Sequence, residues 1–303
     1  MQPINRRGFI GAAAGAAAVV SGVGKLRADG PAGTGPARPP IGPLGPTGIE
    51  ISRVGLGTGM RGSNRQSDHS RLGFEQLVGL FRHAYDRGVT FFDMADLYGT
   101  HVYCREALRS IPREKVTILT KIWWRYDRPA GEANAGERRH DAKIAVDRFR
   151  HELATDYLDI VLLHCLIEPS WEKAMEPYME ALAEKKEKKE IRAVGVSCHN
   201  FGAMETAASS PWVDVLLARF NPKGVKMDGT PDEVAAVLRK AKENGKAVIG
   251  MKILGEGILA DEREACIQFA QESGLLDAMT IGCMSPEQLD DILHLVQKYP
   301  AKA

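Results

Sequence analysis

From residue 50 onward, short apolar runs that close in Gly, Pro or polar residues alternate with longer stretches whose apolar positions recur three and four apart. The runs are "ISRVGLGTG", "VTFFDMADLYG", "KVTILTKIWW", "YLDIVLLHCL", "IRAVGVSCHN", "WVDVLLARFNP", "AVIGMKILGEG" and "DAMTIGCMS", and each reads as a strand. Between them, "FEQLVGLFRHAYDRG" and "PDEVAAVLRKAKENG" carry helical periodicity, the second with Thr230 as N-cap and a stop at Gly245. Near-continuous apolar strands are expected where both faces of a sheet are covered. Eight strand–helix units in alternation therefore predict an α/β fold, a parallel (β/α)8 TIM barrel, over residues 49–303.

The pattern changes ahead of the barrel. Residues 28–48 hold six Gly and six Pro among 21 positions, a composition that builds no hydrogen-bonded ladder and buries little, so 31–48 is expected to be a linker. Residues 1–30 begin with Arg6, Arg7 and Phe9 and continue through a weakly apolar stretch of Ala, Gly and Val. That order resembles a twin-arginine export signal and predicts passage through that machinery to a periplasmic or other extracytoplasmic location. The stretch is too short and too rich in Gly and Ala for a stable membrane span. Within the barrel, the Gly-rich, charged insertion at 125–140 is expected to be a mobile loop over the mouth.

Composition narrows the function. The 40 basic and 39 acidic residues balance, which argues against nucleic acid as a partner. Without residues 1–30 the balance becomes 36 basic against 38 acidic. The run "EKKEKKE" at 184–190 alternates in sign and reads as the solvated face of a helix end. Cys104, Cys165, Cys198, Cys266 and Cys283 form no CxxC pair, and an odd, scattered set argues against a disulfide framework.

In a barrel of this kind, polar residues at the C-terminal ends of strands converge on one face. The second, third and fourth strands end in Asp93 with Tyr98 just beyond, Lys121, and His164. Period two places Leu158, Ile160, Leu162 and His164 in one row, and Thr117, Leu119 and Lys121 in another. Each polar group is thus the last of an inward-facing row. Adjacent strands lie about 4.8 Å apart, so an acid, a phenol, an amine and an imidazole share a small space. Such a set can pass a proton to a carbonyl oxygen. The ammonium of Lys121 is expected to lower the pKa of Tyr98, Asp93 to keep the lysine charged, and His164 to orient the substrate oxygen.

With these residues in place the chain resembles the aldo-keto reductases over residues 48 to about 298, through "TGIEISRVGLGTG", "FFDMADLYG", "ILTK", "DYLDIVLLH" and "GVSCHN" in family order. The resemblance implies hydride transfer from NADPH, or NADH, to a small aldehyde or ketone, with Asp93, Tyr98, Lys121 and His164 as the catalytic tetrad and Tyr98 as general acid. It also implies a cofactor wall made by Ser197, Met251 and Gln288, with Asn200 or His199 standing in for the asparagine that the family has at Cys198. Lys252 would reach the cofactor phosphates. Three positions depart from the family at that wall: Cys198, Leu217 in place of a glutamine, and Met251 in place of an aromatic ring; at the adenosine end Ile292 replaces an asparagine. Trp123 and Trp124 follow the lysine strand; alternation turns Trp123 toward a substrate pocket and Trp124 outward, and an aromatic wall there suits an apolar or planar carbonyl compound.

Two other functions compete. A nucleotide-binding scaffold or sensor without turnover would fit the altered wall but not the complete tetrad. A metal-dependent hydrolase would use His164–Cys165 and Cys198–His199, yet neighbours within a strand face opposite ways. At most two ligands then point inward, too few for zinc, and no metal is expected.

Overall fold

The structure, a computed structural model, describes residues 37–124 and 134–302. The export signal, the first part of the linker and residues 125–133 of the insertion lie outside the described residues. The chain first forms an antiparallel hairpin of β1 (Ile41–Pro43) and β2 (Glu50–Ser52). The barrel strands follow: β3 (Val54–Gly57), β4 (Phe91–Asp93), β5 (Thr117–Ile122), β6 (Leu158–Leu166), β7 (Ile191–Cys198), β8 (Val215–Arg219), β9 (Ala247–Met251) and β10 (Ala278–Ile281). All pair in parallel and in chain order, and β10 bonds to both β9 and β3, which closes the ring.

A helix follows every barrel strand: α1 (Phe74–Asp86), α2 (His101–Leu108), α3 (Ala135–Leu153), α4 (Trp171–Glu187), α5 (Phe201–Ser209), α6 (Pro231–Glu243), α7 (Arg263–Glu272) and α8 (Pro286–Lys298). α6 starts where its sequence says it should. Thr230 accepts from the Glu233 amide while the Glu233 carboxylate takes the Thr230 amide, a reciprocal cap followed by Pro231 in the first turn.

Two apolar layers result. Leu119, Ile160, Leu162, Leu217 and Ile249 fill the barrel interior, and a larger layer packs between strands and helices. Leu158, at the foot of its row, belongs to the outer layer.

Four expectations are corrected here. The segment ahead of the barrel does build a ladder: Ile41–Pro43 pair with Glu50–Ser52, and Leu44 plugs the barrel floor together with Ile49 and Ile51. The hairpin also splits the first predicted strand at Arg53, whose side chain is anchored on Gln271 and on the carbonyl of Leu276. Residues 135–140 of the insertion are helical, because Asn134 and Glu137 cap each other and start α3. At the end of α4, Lys185 is buried rather than solvated, and Asp147 and Glu190 take its charge.

Candidate active site

Tyr98 stands on a single 3-10 turn, Asp96–Tyr98, that begins three residues past the end of β4. The next residue, Gly99, has a φ of 66°, and a Cβ there would fall 2.1 Å from the carbonyl oxygen of Arg65. Only glycine fits that turn. Asp96, 4% exposed, pins the turn by pairing with Arg148 at 2.7 Å and Arg65 at 3.3 Å. Arg65 belongs to the loop after β3, and this loop lies against the phenol ring. A Cβ on Gly59 would come within 2.2 Å of the ring and one on Gly62 within 2.4 Å.

The four strand-end groups meet. Lys121, 1% exposed, donates to an oxygen of Asp93 and, at 2.9 Å, to the carbonyl of Met94. Thr280 at the end of β10 donates to the other Asp93 oxygen at 2.8 Å. The lysine Nζ stands 4.9 Å from the centroid of the Tyr98 ring. The Tyr98 hydroxyl and His164 Nε2 are 3.3 Å apart, with the two rings edge to face. Trp123 sets its ring edge-on to His164 at 5.9 Å. Trp124 turns to the outer layer and donates its indole N–H to the carbonyl of His164 at 3.0 Å. Sequence reasoning missed Thr280, the Asp96 clasp and the covering loop, since each depends on chain that is distant in sequence.

The electrostatics run against one expectation. The Tyr98 phenol is pushed well above its ordinary range, by burial first and then by the charge of Asp93. The nearby ammonium of Lys121, paired to that carboxylate, does not outweigh these two. His164 is held well below the usual imidazole value, by burial first and then by Lys121, His199 and Lys252. At neutral pH the site therefore presents a protonated phenol beside a neutral imidazole.

A cleft opens beside Tyr98 and runs past Met251, Lys252, Thr280 and Gly282 to Gln288 in the first turn of α8. Of the residues expected to hold a cofactor, Met251, Lys252 and Gln288 line it. Lys252 Nζ pairs with Glu256 at 2.9 Å, and Gln288 accepts from the amide of Met284 at 2.8 Å. Ser197 and Asn200 are engaged elsewhere. Ser197 Oγ takes the amide of Cys165 at 2.9 Å, and Asn200 caps α5 through the amide of Ala203 at 3.0 Å. Leu217 is part of the barrel interior and Cys198 of the outer layer.

Strict alternation fails at Cys165, whose φ is 58° at a register shift between β6 and β7. The shift brings Cys165 Sγ to 3.5 Å from His199 Nε2. Among the described residues, however, no three His, Cys, Asp or Glu side chains converge to hold a metal. None of the five cysteines forms a disulfide.

Residues 53–297 match the model of the aldo/keto reductase family. The NADH-specific methylglyoxal reductase of Escherichia coli is 25% identical over 228 residues, which span 72% of this chain and 68% of that protein. The versiconal hemiacetal acetate reductase of Aspergillus parasiticus is 31% identical over 175 residues, spanning 51% of this chain and 49% of that protein. In fold, the holo form of an aldo-keto reductase from Bacillus halodurans superposes with a TM-score of 0.67 at 17% identity, covering 88% of this chain and 93% of that one.

Proposed function

Given that the chain belongs to the aldo/keto reductase family, we propose that it reduces a small aldehyde or ketone by hydride transfer from NADPH or NADH, with Tyr98 as the general acid. The observation that carries this reading is the 3.3 Å approach of the Tyr98 hydroxyl to His164, above a lysine already paired to Asp93. The family makes the protein an oxidoreductase of the aldo-keto reductase type; the cofactor, the acid and the substrate are the proposal.

The cleft fits a dinucleotide. Tyr98 and Gln288 of the N-terminal turn of α8 both line it, and Gly57, Gly59 and Gly282 leave its wall without side chains. Lys252 also lines it and supplies a cation for a phosphate charge. Bound NADPH or NADH supplies the hydride. Tyr98 donates its proton to the substrate oxygen, and its raised pKa keeps that proton in place until charge develops there. His164, neutral, shares the oxygen through Nε2 and sets its direction. Lys121, held by Asp93 and Met94, lies against the ring and stabilises negative charge arising on the phenol. Trp123, edge-on to His164, offers an apolar face to the carbonyl compound, in keeping with an apolar or planar substrate.

Purified protein given NADH or NADPH with a panel of small aldehydes and ketones should consume cofactor and alcohol should form in equal amounts. Absence of turnover with every carbonyl, despite tight cofactor binding, would instead support the nucleotide-binding scaffold that Leu217 and Cys198 at the wall favour. Export of the folded protein through the twin-arginine route remains part of the proposal, on the strength of Arg6 and Arg7 ahead of an Ala- and Gly-rich stretch. Replacing both arginines by lysine should leave the protein in the cytoplasm, and unchanged export would count against it.

A further inference from the structure

The wall made by the C-terminal ends of β7, β8 and β9 is short of strong hydrogen-bond donors. Ser197 accepts the amide of Cys165 and has only its single hydroxyl proton to offer, Cys198 is turned to the outer layer, Leu217 is apolar, and Met251 carries only a thioether. One strong donor stands on the same wall. Arg219 ends β8 two residues beyond Leu217, on the inward row that begins with Val215, and its Cα partner on β9 is Met251. Met251 lines the cleft, so Arg219 is one strand away from it.

The guanidinium is incompletely used. Nη1 donates to Asp228 at 3.1 Å, while Nε is buried and has no partner. Arginine presents five N–H groups in a planar fork, and Asp228 occupies one corner, which leaves the Nε–Nη2 edge unspent. A buried donor without a partner calls for an explanation, and a ligand is one. Asp228 also decides the kind of ligand. Its carboxylate, with 5% side-chain exposure, neutralises the arginine, so the remaining edge suits a neutral acceptor such as an amide carbonyl. An anion would have to compete with Asp228. His199, beside Cys165, is held down to about 3 by burial first and then by Arg219, which places the arginine's charge near the mouth.

We propose that Arg219, held by Asp228, is the donor that fixes the carboxamide of the nicotinamide ring. It does so from two positions further along the inward row than Leu217. The inference rests on the reading that NADPH or NADH occupies the cleft. It assigns a planar, two-pronged donor to a wall where Leu217 is apolar and Cys198 is turned away.

Binding calorimetry tests it with three probes: NADH, NADPH and ADP-ribose, which keeps the adenosine and phosphates but lacks the nicotinamide. Arg219→Lys retains a charge for Asp228 and loses the planar fork. The expected result is a loss of about tenfold or more in affinity for NADH and NADPH, with ADP-ribose bound as by the wild type. Asp228→Asn, which keeps the guanidinium, should retain dinucleotide binding. Unaltered dinucleotide affinity in Arg219→Lys, or an equal loss for ADP-ribose, would overturn the assignment and leave the cofactor reading standing. A wild-type protein that binds neither dinucleotide would end both.

Discussion

Asp93 sets the charge that Tyr98 experiences, and the sign of that influence is the reverse of what strand-end chemistry alone implies. Asp93, Lys121 and His164 were legible because each ends an apolar row at a predictable height, and Tyr98 because it follows Asp93 in a turn closed by Gly99. The direction of the phenol's shift was not legible, since burial dominates it and burial is a property of the closed barrel. Removing the carboxylate should relieve the phenolate of a like charge and leave Lys121 unpaired beside it. Asp93→Asn is therefore expected to move the alkaline limb of kcat/KM, and the spectroscopic titration of Tyr98, to lower pH. A limb that stays in place or rises would mean that Asp93 does not act on the phenol. His164 should add no limb near pH 6.5, because its imidazole is already neutral there.

Caps and short loops decide where the elements place these groups. The start of α6 could be read from Thr230, Pro231 and Glu233, and α3 carries the same kind of signal in Asn134 and Glu137, masked by a Gly-rich, charged surrounding. The hairpin of β1 and β2 was hidden by its prolines, which tolerate a two-stranded edge where they would break a central strand. Asn200 shows how one residue can be claimed by two roles. The sequence offers it to the cofactor, whereas its side chain caps α5. Asn200→Ala should cost about 1 kcal/mol of stability in urea unfolding. Dinucleotide affinity should be unchanged; a large loss of affinity would restore the cofactor role.

The whole barrel carries an acid sensitivity that belongs to buried histidines. His69 is fully buried, donates from Nε2 to the carbonyl of Cys283 at 3.0 Å, and is lowered by burial from 6.5 to about 4. A base whose pKa falls on folding binds fewer protons when native, so stability is full above 6.5 and declines as pH drops toward 4. The slope is roughly 1.4 kcal/mol per pH unit for one such group. Glu152, lowered from 4.5 to about 2 against burial by His101 and Arg148, adds its own loss only as pH falls below 4.5, whereas His164 and His199, also lowered by burial, share the window with His69. Urea midpoints measured between pH 7 and about 5 should fall, and His69→Gln, which keeps a donor for Cys283, should flatten the decline by close to one proton. A decline of equal steepness in the variant would exclude His69 as a source. The central claim, that the proton leaves from Tyr98, is tested most directly by Tyr98→Phe, with carbonyl reduction and dinucleotide binding measured on the same sample. The account predicts wild-type cofactor affinity with turnover reduced by a factor on the order of 10² to 10⁴. A phenylalanine variant that reduces carbonyls at the wild-type rate would contradict it.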